Sequence, residues 1–169
     1  MELRIAGTVS DSIVDGPGLR FTIFTQGCSH GCKGCHNMHT WAYDGGEVAD
    51  LDVLYESVAG NPMLSGVTLS GGEPFDQAAA LLPLVEKYKA DRIEVAAYSG
   101  YTWEELCADP EKKALLALCD ILIDGQFIEE QKSLELKFRG SANQRILDVK
   151  KSFAEGKAVW SDSPRWIGK

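Results

Sequence analysis

Short apolar runs and helix-like stretches alternate along this chain, and that alternation restricts it to folds in which parallel strands are joined by crossover helices. Strands are expected over residues 3–9, 19–25, 66–69, 92–98 and 120–123, with one more over 145–149. Asp50 is placed to cap a helix over 51–59, which Asn61-Pro62 ends. A second helix is expected over 78–89, with a kink or a late start at Pro83. Thr102-Trp103-Glu104-Glu105 has the spacing of a capping box for a third helix, interrupted near Asp109-Pro110 and followed by another over 111–118. Residues 126–144 are mixed and polar, and 160–169 reads as a docked coil. Four or so strand–helix units are too few to close an eight-stranded barrel. The expected fold class is therefore α/β, an open partial (βα) barrel whose site gathers at the C-terminal ends of the strands.

The loop leaving the second strand reads Gly27-Cys28-Ser29-His30-Gly31-Cys32-Lys33-Gly34-Cys35-His36-Asn37, three thiols within eight residues. Soft thiolates suit iron and sulfur, and a 4Fe-4S cluster usually takes four cysteines, so a set of three leaves one iron open to a small molecule. Gly27, Gly31 and Gly34 can adopt positive φ and turn the thiols toward a common point. The same cysteines with His30, His36 or His39 would also suit a Cys3His zinc site, and spacing alone leaves both open. Cys107 and Cys119 lie far from the triplet and read as small buried hydrophobes. An odd number of cysteines and the lack of a basic start followed by an apolar core argue against a disulfide framework and for a reducing, cytoplasmic setting.

At 169 residues, with no repeat, low-complexity tract or linker, residues 1–169 are expected to form a single domain. Seventeen basic against twenty-five acidic residues give a net charge of −8, which opposes binding to a nucleic-acid backbone. No apolar run approaches the length of a membrane span, so no membrane partner is expected.

The cysteine loop after an early strand, followed by Ser70-Gly71-Gly72-Glu73-Pro74 after the next, resembles the radical S-adenosylmethionine superfamily. That resemblance implies a 4Fe-4S cluster on Cys28, Cys32 and Cys35, with the amino and carboxylate groups of S-adenosylmethionine on the fourth iron. One electron would cleave the sulfonium bond to give methionine and a 5′-deoxyadenosyl radical. Gly71 and Gly72 would let backbone carbonyls approach the methionyl ammonium, and Glu73 would add negative charge near it. Gly34 and His36 would line the adenine side, and Ser99, at the end of the 92–98 strand, joins the cofactor-binding set. Asp124 matches an acidic residue near the cofactor in related activases. Those activases have a lysine two positions on that meets the cofactor carboxylate; this chain has Gln126 there, which leaves Arg139, Asn143 or Arg145 for that contact.

More of the chain is similar to one branch, the activating proteins of anaerobic ribonucleoside-triphosphate reductase. The carrying segments include Asp15-Gly16-Pro17-Gly18, the Cys-Lys-Gly-Cys-His-Asn ending of the cysteine loop, Asp124-Gly125-Gln126-Phe127 and Phe138-Arg139-Gly140-Ser141-Ala142-Asn143-Gln144-Arg145. The similarity implies a protein substrate, the reductase, from one of whose glycines an α-hydrogen is taken to leave a glycyl radical. It also implies a flavodoxin- or ferredoxin-like electron donor. The rival expectations are an activase of another glycyl-radical enzyme and a non-catalytic zinc-binding interaction module.

Overall fold

The computed structural model describes residues 2–35 and 37–168. In chain order the elements are β1 (Arg4–Ser12), β2 (Arg20–Thr25), β3 (Glu47–Val48), α1 (Leu51–Ala59), β4 (Gly66–Gly71), α2 (Ala78–Ala90), β5 (Val95–Ser99), α3 (Trp103–Cys107), α4 (Pro110–Leu116), β6 (Ile121–Asp124), β7 (Arg145–Asp148), α5 (Val149–Glu155) and α6 (Pro164–Ile167). Short 3-10 turns occur at Met38–Thr40, Pro74–Gln77 and Glu129–Gln131. Among the described residues seven strands form one mixed sheet in the order β3-β1-β2-β4-β5-β6-β7. The β2, β4, β5 and β6 strands are mutually parallel, whereas β1, β3 and β7 pair antiparallel at the flanks.

Local chemistry accounts for most of the boundaries. Asp50 accepts from the amides of Asp52 and Val53 and starts α1, and Thr102 and Glu105 form a reciprocal capping box at α3. The α2 helix has no late start: it begins at Ala78 behind the 3-10 turn and runs through Pro83, which lacks the N–H that would have bonded the carbonyl four residues back. The next strand starts at Val95, later than the sequence pattern suggests. Arg92 has φ 60°, its amide donates to the Lys89 carbonyl at 3.0 Å, and the Ile93 amide donates to the Tyr88 carbonyl at 3.0 Å. These two bonds are the Schellman closure of α2, with arginine where glycine is usual. The expected terminal coil instead holds α6, which buries Trp166.

Side-chain alternation gives the sheet two different faces. Phe21 and Ile23, Val67 and Leu69, Val95 and Ala97, Leu122 and Leu147 point to the main core, where Leu54, Leu81, Leu84, Val85, Leu106 and Leu115 of the helices meet them. The opposite face carries Arg20, Thr22 and Thr68 together with Ala96, Ile121, Ile123 and Ile146, and is covered in part by Phe138 and Trp166. A polar, thinly covered face is what leaves space at the C-terminal ends of β2, β4 and β5.

Candidate functional site

The parallel register pairs Thr25 of β2 with Gly71 of β4, so the loops leaving the two strands emerge side by side. Gly71 has φ 102°, and a Cβ there would lie 2.4 Å from the Thr25 amide nitrogen. A Cβ on Gly72 would lie 2.3 Å from the Gly27 carbonyl oxygen. The lack of side chains lets the backbones bond directly: the Gly72 amide donates to Thr25 at 2.9 Å and the Glu73 amide to Gly27 at 2.8 Å. From the other side, the amides of Gly27 and Cys28 donate to the carbonyls of Thr40 and Trp41.

Cys28, Cys32 and Cys35 line one cavity of about 110 Å³, whose wall also includes Gly71, Gly72, Ser99, Gly100, Gly125 and Phe127. All three thiols are free and half-buried. Burial pushes the Cys28 thiol up to about 11 and raises that of Cys32, and the Cys35 sulfur accepts the Asn37 amide at 3.4 Å. Among the described residues no three His, Cys, Asp or Glu side chains gather tightly enough to hold a single metal ion. Three soft donors on the wall of one cavity suit an iron–sulfur group.

Behind this wall sits Glu73, fully buried. It accepts from His30 Nε2 at 2.7 Å, the Gly100 amide at 2.7 Å, Ser99 Oγ at 2.9 Å and the Phe75 amide at 3.1 Å. The bond to Glu73 raises the His30 pKa against an opposing effect of burial. Asp76, one turn on, accepts from Tyr101 at 2.6 Å, Tyr43 at 2.8 Å and Ser29 at 3.4 Å. Asp76 is a residue that motif reading does not single out, and His30, weighed there only as a zinc ligand, bonds Glu73 instead. Their signal was local: His30 stands between two thiols, and Asp76 follows the Glu73-Pro74 start of a 3-10 turn.

The other anticipated residues divide. Gly71, Gly72 and Ser99 line the cavity. Gly34, with φ 76°, packs instead toward Glu129, and His36 lies outside the described residues. Asp124 is turned toward the sheet: it is 1% exposed, accepts from the Trp103 amide at 2.8 Å, and meets Arg145 Nε at 3.0 Å and Nη2 at 2.5 Å. Asn143 donates to the Gln126 carbonyl, and Gln126 Nε2 lies 3.2 Å from His30 Nδ1. Arg139 lines a second, larger cavity of about 550 Å³ that shares Cys35, Gly71, Tyr98, Phe127 and Gln144 with the first, and its Nε is buried without a hydrogen-bond partner among the described residues. A further cavity of about 500 Å³ opens at the opposite end of β4, between Asn61 and Glu94, away from the thiols.

No helix is long and apolar enough to cross a membrane among the described residues. A family model described as a 4Fe-4S single cluster domain matches residues 14–147. Proteins named anaerobic ribonucleoside-triphosphate reductase-activating protein are similar over most of their length. The one from Haemophilus influenzae is 38% identical over 143 residues, 79% of this chain and 90% of its own. That from Vibrio cholerae is 39% identical, again over 79% of this chain and 90% of its own, and that from Escherichia coli K12 is 32% identical over 79% and 91%. The crystal structure of QueE from Escherichia coli overlays on 60% of this chain and 54% of its own at 20% identity and TM-score 0.46, too loose a match to build on. With three thiols around one cavity and this degree of likeness, the chain belongs to the anaerobic ribonucleoside-triphosphate reductase-activating protein family and carries its iron–sulfur domain.

Proposed function

We propose that this chain activates an anaerobic (class III) ribonucleoside-triphosphate reductase by removing the α-hydrogen of one glycine of that partner, leaving a glycyl radical. The carrying observation is the arrangement of Cys28, Cys32 and Cys35 around a cavity walled by Gly71 and Gly72, in a chain of the activating-protein family. In this reading Cys28, Cys32 and Cys35 would hold a 4Fe-4S cluster, which with S-adenosylmethionine would supply one-electron radical chemistry.

The chain's own residues bind and orient. Gly71 and Gly72 present backbone to the methionyl end, Ser99 forms part of the wall, and Gly34 precedes the third ligand on the adenine side. Asp124 holds the end of β6, and Glu73 holds the turn after β4, both from behind the cavity. Arg139, whose Nη1 donates to the Gln144 carbonyl, is the cation on the wall of the larger cavity that can meet a carboxylate, since Arg145 is engaged by the carboxylates of Asp124 and Glu104. In this reading the sheet serves as an open partial barrel, and the larger cavity beside Phe24, Tyr98 and Phe138 would admit a peptide loop while keeping water from the radical. A flavodoxin- or ferredoxin-like protein delivers the electron in the cytoplasm, without nucleic acid or membrane.

Anaerobic reconstitution with iron and sulfide tests this. The expected product holds about four irons per chain, releases 5′-deoxyadenosine with dithionite and S-adenosylmethionine, and gives a glycyl-radical electron paramagnetic resonance signal when the reductase is added. About one zinc and no sulfide, or a loaded cluster that releases no 5′-deoxyadenosine, would sink it.

A further inference from the structure

A carboxylate offers about four acceptor positions, and in Glu73 four protein donors take them: His30, Gly100, Ser99 and the Phe75 amide. None is left for an ammonium group arriving in the cavity. Of these donors, only the imidazole belongs to the cysteine loop. His30 stands between Cys28 and Cys32, its side chain is 7% exposed, and its ring lies edge-on to Tyr101 at 4.5 Å. Its second nitrogen is 3.2 Å from the Gln126 amide. Gly100 makes room for the ring, since a Cβ there would come within 2.5 Å of it.

Backbone bonds hold the two ends of the loop: the Gly27 and Cys28 amides donate to Thr40 and Trp41, and the Cys35 amide donates to the Cys32 carbonyl at 3.2 Å, which leaves the segment between Cys28 and Cys32 to side-chain contacts. Gly27, Gly31 and Gly34 all have positive φ, and a Cβ on Gly31 would meet nothing within 4 Å. A glycine-rich loop loses much conformational freedom on ordering, so something outside it must fix the thiols. Of the other contacts, Ser29 to Asp76 at 3.4 Å is long and exposed, and the Phe127 backbone reaches the Cys32 thiol rather than the stretch between Cys28 and Cys32.

We propose that Glu73 serves as the anchor of the cysteine loop, acting through His30, and that His30 is therefore a positioning residue for the three thiolates, with Gln126 steadying its far side. This deepens the reading above and rests on it: the acid of the Gly-Gly-Glu turn orders the cluster ligands rather than binding the sulfonium nucleotide. Recognition of the methionyl ammonium falls to the backbone of Gly71 and Gly72.

The test compares the reconstituted wild type with His30→Leu, Glu73→Gln, the double variant and His30→Gln, which keeps an amide donor. The readouts are iron and sulfide per chain, the electron paramagnetic resonance spectrum of the reduced cluster, and the Kd for S-adenosylmethionine from the change it causes in that spectrum. Far-ultraviolet circular dichroism confirms that each chain is folded. An anchor predicts that both single variants load roughly half the wild-type iron or less with an altered spectrum, that the double variant is no worse than the poorer single, and that His30→Gln recovers most of the loading. Kd in the loaded fraction stays within about threefold. A Glu73→Gln protein with full iron, an unchanged spectrum and a Kd raised roughly tenfold or more would overturn the proposal, because that is the loss of a charge-assisted contact to the ligand. Additive losses in the double variant would overturn it too. A wild type that loads four irons yet makes no 5′-deoxyadenosine would defeat the activase reading alone, since the loading comparison stands without it.

Discussion

Asp124 and Arg145 face each other across the antiparallel β6–β7 pair, and the guanidinium reaches the buried carboxylate through two nitrogens. Arg145 is partly exposed and also meets Glu104, and these neighbours hold its pKa above the usual arginine value, with Asp124 the larger cause. Removing the arginine leaves a carboxylate with 1% exposure and one amide donor. Arg145→Ala is accordingly expected to lose on the order of 3 kcal/mol, read as a lower urea midpoint, with Arg145→Lys intermediate because a point charge replaces a two-pronged contact. At this scale the sequence revealed which residues matter sooner than what they touch. Asp124 and Glu73 were legible as strand-end acids, and the three cysteines as a ligand set. That Asp124 turns to Arg145 depends on the register of β7, and that Glu73 takes the imidazole of His30 depends on the meeting of two loops. Neither is encoded by local spacing.

Elements governed by nearby chemistry were readable for the same reason. Asp50 at α1 and the Thr102–Glu105 box at α3 satisfy amides only two or three residues away, so the side chain and its partners appear together in the sequence. The start of β5 was not readable, because the α2 closure uses a left-handed arginine with no compositional mark. Arg92→Gly would relieve that backbone strain and is expected to stabilise the protein by about 0.5–1 kcal/mol, net of the added freedom of the unfolded chain. Thermal unfolding should rise by about 1–4 °C; an unchanged or lower Tm would mean that the turn holds no such strain. Short elements escaped for a different reason. The two residues of β3 carry no periodicity, and α5 follows β7 directly with only the Asp148 cap, which accepts the Lys151 amide, to announce it.

For the whole molecule, the consequential asymmetry is between the two faces of the sheet. One is packed by helices, and their apolar periodicity made the α/β class legible. The other mixes Arg20, Thr22 and Thr68 with a small apolar cluster that Trp166 closes from the far end of the chain. Trp166 is 1% exposed, meets Phe138 edge-to-face at 5.4 Å and lies 5.2 Å from the Arg20 guanidinium. Trp166→Ala is expected to cost about 3–5 kcal/mol, measured by chemical denaturation, while a fall below about 1 kcal/mol would mean that this face contributes little. No local pattern links residue 166 to residue 20, so the cover of this face could only be seen in three dimensions.

Gly72 presses its bare α-carbon against the carbonyl of Gly27, and the next amide bonds that same oxygen. The two signatures, far apart in the chain, are thus one mechanical part. A graft that transplanted the thiol segment into another scaffold without the turn after β4 would carry the ligands but not the seat they rest in, and hybrids between relatives should survive only when both pieces come from the same parent.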